Sequence, residues 1–254
     1  MLEVRNLTKR FTTTTAVDDV SFTVKPFEVL GYLGPNGSGK STTVNIVTGL
    51  LEPTGGEVLF NGASIQKDLI GYKRRLGYVP ESPHLYPHLT GTEYLQLAGR
   101  LRGLEKRQVD SKIEEFLLLF GLGAARHSRI ASYSKGMRQK VLISAALLHN
   151  PDILVFDEPL SGLDVTSALV FRNLVKRLAE DGKMVLYSSH VLEVVEKICT
   201  NVMILRKGQV VANDTVENLR ELMKLASLEA IFSELVLEQD IETTANAIVD
   251  AMKA

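Results

Sequence analysis

The chain has 254 residues, 45% hydrophobic and 23% charged, and its 29 Lys and Arg against 30 Asp and Glu leave a formal net charge of -1. That length suits one large domain, or a domain with an embedded subdomain, and a chain this size buries roughly 70% of its unfolded surface. Near-neutral charge argues against wrapping a nucleic-acid backbone or riding on anionic lipid, so no nucleic-acid partner is expected. The single cysteine, Cys199, excludes an internal disulfide and fits a reducing cytosol. The longest apolar run, Val141 to Leu148 broken by Ser144, is far shorter than the ~18 residues of a spanning helix. Met1-Leu2-Glu3-Val4-Arg5 lacks the basic start and apolar stretch of a signal peptide. A soluble, cytosolic, globular chain is expected.

In chain order, strands are predicted at Glu3 to Leu7, Val20 to Val24, Val29 to Leu33, Val58 to Phe60 and Leu76 to Val79. The early ones alternate and are joined by short turns such as Asn61-Gly62, which suggests a small antiparallel sheet; Thr12 to Thr15 reads as a polar loop. From Thr90 to Asn150 the pattern is almost entirely helical, opening on the capping box Thr90-Gly91-Thr92-Glu93. The last of these helices, Arg138 to Asn150, is stopped by Pro151. Ile153 to Phe156 and Val202 to Leu205 do not alternate and read as central parallel strands, with further strands at Met184 to Tyr187 and Gln209 to Ala212. A helix runs from an Asp164 cap to Gly182, and the chain is helical again beyond about Thr215, with an apolar stripe of Ile241, Ala245, Ile248, Val249 and Met252. The stripe is expected to pack on its own domain or on a partner subunit. Alternating strand and helix periods make this an α/β chain.

Gly34-Pro35-Asn36-Gly37-Ser38-Gly39-Lys40-Ser41 matches the P-loop pattern, after a strand and opening a helix. Glycines let successive N–H groups turn toward phosphate oxygens, and the helix adds its positive end. Lys40 would reach the β- and γ-phosphates and Ser41 would ligate Mg²⁺. A chance match arises on the order of once per hundred such chains, and the strand–loop–helix context lowers that further. The apolar strand Ile153 to Phe156 ends in Asp157-Glu158-Pro159, which puts two carboxylates at its ligand-binding edge. Asp157 could hold the metal's hydration shell and Glu158 could orient or deprotonate water.

Tyr133-Ser134-Lys135-Gly136-Met137-Arg138-Gln139 stands where the ATP-binding cassette (ABC) ATPases carry their Leu-Ser-Gly-Gly-Gln signature, and the chain resembles that family to about Ala212 in order and spacing. The resemblance implies a RecA-like P-loop core with an N-terminal antiparallel β subdomain and an inserted α-helical subdomain. It places the nucleotide-binding domain at residues 1–212, the helical insertion at about 84–135 and a C-terminal helical extension at 213–254. It implies ATP and Mg²⁺ as cofactors. Phe11 and Val17 would flank adenine, and Gly34 through Ser41 with Thr42 would hold the phosphates. Ser161-Gly162-Leu163-Asp164 looks like the D-loop, His190 like the switch histidine, and Glu81 sits where the family's Q-loop residue ligates metal. Glu158 and His190 would then be catalytic, and Ser41, Glu81 and Asp157 would attend the metal.

A serine and glycine at a second helix N-terminus make another anion site, which one monomer does not need for one triphosphate. The family resolves this by head-to-tail dimerisation, so Ser134, Lys135, Gly136, Met137 and Asp164 are expected to face the ATP of a second ATPase subunit, a copy or close paralogue. Integral-membrane permease subunits would be the other partners. They would place the chain peripherally on the cytoplasmic face of the cell membrane and receive the surface from Pro83 to Leu95.

Lys135 replaces the signature's first glycine, Met137 its glutamine, and Glu81 the Q-loop glutamine. Ser134 and Gly136 keep the hydroxyl and the unhindered N–H, and a carboxylate remains a good Mg²⁺ ligand. Glu81 together with a C-terminal tail is similar to prokaryotic exporter ATPases whose membrane subunits are separate chains. An importer ATPase is the closest rival and a soluble, non-transport cassette ATPase the more distant one. The lone His84, His88, His127 and His149 are assigned nothing, and Lys73-Arg74-Arg75 is expected to be a solvated face.

Overall fold

A computed structural model describes residues 1–82, 84–225, 227–236 and 248–252. Pro83, Ile241 and Ala245 therefore lie outside the described residues. The order is β1 (Leu2–Phe11), β2 (Thr14–Val24), β3 (Val29–Leu33), α1 (Lys40–Val47), β4 (Gly55–Phe60), β5 (Ala63–Ser64), α2 (Leu69–Arg74) and β6 (Leu76–Val79). Then come α3 (Gly91–Leu101), α4 (Lys106–Leu119), two short 3₁₀ turns, α5 (Lys135–Leu147), β7 (Ile153–Asp157), α6 (Val165–Glu180) and β8 (Met184–Ser188). The described remainder holds α7 (Leu192–Ile198), β9 (Asn201–Arg206), β10 (Gln209–Thr215), α8 (Val216–Met223), α9 (Leu228–Val236) and a further helical stretch at 248–252.

Two sheets form. An antiparallel one has the order β2-β1-β4-β5, and a six-stranded one has β10-β9-β3-β8-β7-β6, parallel except for β10. Side-chain alternation in the central strands divides the core. Leu30 and Tyr32 of β3 face the antiparallel sheet and α1, whereas Val29 and Leu33 face α5, α6 and α7. Covering both faces explains why β7 and β8 are apolar almost throughout and wholly buried. The helices between β6 and β7 have their own core, built on Leu95, Val109, Ile113, Leu117 and Val141. Helices α8 and α9 bury Val216, Leu219, Leu228 and Ile231 in the same cluster as Tyr187 and Val195.

Several elements differ from their sequence expectation. Thr12 and Thr13 form the turn, but Thr14 and Thr15 begin β2 and pair with Phe11 and Arg10, as their β-branched side chains favour. Strand β2 is longer than the predicted Val20 to Val24 and starts at Thr14; its ladder with β1 is irregular, and Asn6 and Asp19 both take positive φ (46° and 53°) and bond each other side chain to side chain at 2.8 Å. Helix α5 starts at Lys135, three residues before Arg138, because the Ser134 hydroxyl accepts the Met137 N–H at 3.2 Å. It ends at Leu147, not Asn150, which takes φ 51° beyond the helix. Arg75 is not simply solvated: it pairs with Asp152 at 2.5 Å and lies 4.8 Å from the Phe60 ring centroid. The Thr90–Glu93 capping box forms in both directions. Ile248, Val249 and Met252, in the described part of the C-terminal stripe, are exposed.

Candidate functional site

The P-loop connects β3 to α1 at the edge where β7 and β8 also end. Gly39 caps α1 with φ 104° and no side-chain bond, leaving the first-turn N–H groups without a side-chain partner. Only glycine fits there, because an added Cβ would lie 2.4 Å from the Ala16 carbonyl oxygen. By contrast α2, α3, α5, α6 and α8 all have side-chain caps. An uncapped helix end facing a cleft is an anion site.

One cleft of about 400 Å³ is lined by Gly34, Pro35, Asn36, Lys40, Ser41, Glu81, Asp157, Glu158, His190 and Phe232. Most of the residues read from sequence as phosphate, metal or catalytic groups thus meet in one place. Lys40 Nζ donates to Gly34 O and Pro35 O at 2.6 and 3.0 Å, across the loop it closes. Burial pulls the Lys40 ammonium's pKa down from its usual value, while Glu158, Asp157 and Glu81 hold it up. Asp157, 5% exposed, is pushed up by burial, pulled down by the Ser188 hydroxyl, pushed up by the Glu81 and Glu158 charges and pulled down by Lys40. Gly37 is open and Ser38 is buried, its Oγ without a hydrogen-bond partner among the described residues. Thr42 lies half-buried on α1, behind the loop.

Glu158 is the most constrained group in the cleft. Its φ of 48° is left-handed, a conformation that costs a non-glycine residue roughly 1–3 kcal/mol. The surroundings enforce it: its N–H donates to Ser188 O at 2.9 Å. Its carboxylate accepts from the His190 N–H at 2.8 Å, from His190 Nδ1 at 2.7 Å and from Ser189 Oγ at 3.2 Å. The imidazole side chain itself is 76% exposed. Carboxylate and imidazole therefore form a hydrogen-bonded pair that lines the cleft.

Neither Phe11 nor Val17 lines that cleft. Phe11 closes the β1–β2 hairpin, 47% exposed with Lys9 Nζ 5.3 Å from its ring, and Val17 is buried under Gly39. The residues expected to serve a second chain's nucleotide are elsewhere: none of Ser134, Lys135, Gly136, Met137 and Asp164 lines the cleft. They form a separate group in which Lys135 Nζ donates to Ser161 Oγ at 2.6 Å and Lys140 pairs with Asp164 at 3.6 Å. Gln139, wholly buried, donates to Pro159 O at 3.0 Å and ties this group to the segment after Glu158. Asp164 caps α6 through the Ser167 N–H, and the Ser167 hydroxyl, with that N–H second, holds its carboxyl down to about 2.

Sequence reasoning missed Ser188, Ser189, Gln139 and Phe232. The two serines were visible only as neighbours of His190, and nothing local marks Gln139 as buried or Phe232 as part of a cleft.

A family model described as ABC transporter matches residues 17–161. The ABC transporter ATP-binding protein NatA of Bacillus subtilis is 40% identical over 223 residues, 87% of this chain and 91% of that protein. A solved ATP-binding subunit of an ABC transporter superposes with a TM-score of 0.87 at 35% identity, covering 92% of this chain and 99% of that one. Another, described as a dimeric post-hydrolysis state of an ATP-binding cassette bound to ADP and Pi, gives 0.79 at 28% identity over 85% of this chain and 98% of that one.

Proposed function

The chain belongs to the ABC transporter family, as an ATP-binding subunit with ATPase activity, and from that premise we propose that two copies close head-to-tail around two ATP and drive separate membrane subunits. One observation carries the reading. The P-loop, the carboxylates and His190 share a cleft, while the signature helix end is solvent-exposed and outside it. A second chain is the natural source of what each cleft lacks.

In this reading Gly34 through Thr42 hold the phosphates, Lys40 neutralises them, and Phe11 with Val17 flanks the base. Ser134 still has a hydroxyl hydrogen to donate, since its oxygen accepts the Met137 N–H. With Lys135, Gly136, Met137 and Asp164 it meets the partner's nucleotide. Glu158 positions or deprotonates the attacking water, and His190 orients Glu158 through the 2.7 Å bond. Mg²⁺ keeps much of its water shell and takes few protein ligands, so two carboxylates and a hydroxyl (Asp157, Glu81 and Ser41) suit it. The buried Asp157, which the Glu81 and Glu158 charges push toward its neutral form, fits a cation as well. When bound, it would neutralise developing phosphate charge.

No helix among the described residues is long and apolar enough to cross a membrane. We place the chain at the cytoplasmic face, held by permease subunits that dock on the surface of residues 84–95, where Tyr86 is 61% exposed. Glu81 and the C-terminal helices support export as the direction. The test of the composite site is a pair of variants. Lys40→Ala should lose nucleotide binding in the monomer, whereas Ser134→Arg should bind nucleotide within about twofold of wild type yet lose most ATPase activity. Equal loss of binding in both would refute the composite site.

A further inference from the structure

Helix α9 lies beyond the stretch matched by the family model, and its stripe of Leu228, Ile231, Phe232, Leu235 and Val236 follows helical spacing. Leu228, Ile231 and Val236 are buried in the cluster that also holds Val194, Val195 and Ile198 of α7. Arg206 Nη1 donates to Leu235 O at 3.3 Å, and Ser227 Oγ accepts the Ala230 N–H at 3.2 Å. Anchored so, α9 carries Phe232 into the cleft of the P-loop, Glu158 and His190. Every other residue lining that cleft is polar, glycine or proline. A phenyl ring in such company is unexpected if the cleft only needs to hold phosphate.

The connection to the chemistry runs along two routes. Phe232 faces the cleft, and its helix packs on α7, which begins two residues after His190. His190 is otherwise exposed and fixed mainly by its bonds to Glu158. Replacing bulk water by hydrocarbon strengthens an interaction between polar partners. We propose that Phe232 is a positioning residue of the ATPase site: its ring walls off the cleft beside the Glu158–His190 pair and holds that pair in its working geometry. The inference rests on the ATPase reading above and adds to it a residue from the C-terminal extension.

The competing role is plain packing, with Phe232 as the edge of an apolar stripe. Full-length wild type, Phe232→Ala, Phe232→Leu and Phe232→Tyr separate the two, through Mg²⁺-dependent kcat and KM for ATP, nucleotide affinity and melting temperature. Phe232→Leu keeps the apolar contact and the fold but not the ring. A positioning role predicts that it and Phe232→Ala lower kcat about tenfold with KM and affinity within about twofold, while Phe232→Tyr stays within about twofold of wild type. Wild-type kcat in Phe232→Leu, or a loss that follows melting temperature and affinity together, overturns the inference while leaving the ATPase reading intact. A wild-type chain with no ATPase activity overturns that reading and this inference with it.

Discussion

At the residue scale, Asp157 illustrates how a site opposes its own fold. Burial raises its carboxyl pKa, and the Glu81 and Glu158 charges add to the rise. The sign follows from linkage: a carboxyl with a raised folded pKa favours the folded state when protonated, and that advantage is lost as pH rises through the folded value. At neutral pH the ionised group therefore costs stability unless a cation faces it. Asp157→Asn should raise the melting temperature in chelator at pH 7, by an amount that shrinks as the pH falls toward the ordinary carboxylate range. It should also abolish Mg²⁺-dependent hydrolysis. Paired melting curves across pH check the first half, and a lower melting temperature for the variant at pH 7 would contradict it. Legibility in sequence follows contiguity here. The P-loop and Asp157-Glu158 are each local strings, so their chemistry can be read directly. The bond between His190 and Glu158 spans 32 positions, and only family resemblance suggested His190 at all. Phe232 had no signal, because an apolar residue at helical spacing reads as core.

Among elements, the junction of α5 with the loop after β7 matters most. Gln139, Lys135 and Lys140 each reach that loop, and Gly136 lies so close that an added Cβ would stand 2.5 Å from Gly162 O. The signature end of α5 and the segment leading from Glu158 are therefore tied together by packing and hydrogen bonds. Gly136→Ala must push the two apart, and a displacement near 1 Å typically costs about 10²-fold in rate. We expect kcat to fall by at least about tenfold while the monomer's nucleotide affinity stays within about twofold. Turnover measured beside equilibrium nucleotide binding checks this, and wild-type kcat would show the junction to be slack. Periodicity located the buried strands well, since β3, β7, β8 and β9 carry unbroken apolar runs. It found only Val20 to Val24 of β2 and missed the half before the irregular register near Asp19, and it missed α2 and α7, which at six and seven residues are too short to show a period. The early start of α5 was legible in principle, because Ser134 is a good N-cap residue.

At the scale of the whole molecule, the proposed dimer rests on two helix N-termini, one within the cleft of the carboxylates and one on an exposed face carrying Ser134 and Lys135. A two-fold dimer pairs unlike patches reciprocally, so the same operation completes both clefts. In the proposed dimer ATP would bind at the boundary and stabilise the closed state by its differential contacts, which hydrolysis would remove. The most direct measurement is the solution mass of Glu158→Gln by light scattering, with and without MgATP. This variant should bind ATP normally and turn over at least about 10²-fold more slowly, so the closed state accumulates. Head-to-tail closure predicts a monomer without nucleotide and a dimer retaining two ATP with it, abolished by adding Ser134→Arg. A Glu158→Gln chain that hydrolyses slowly, binds ATP and stays monomeric at saturating MgATP would contradict it.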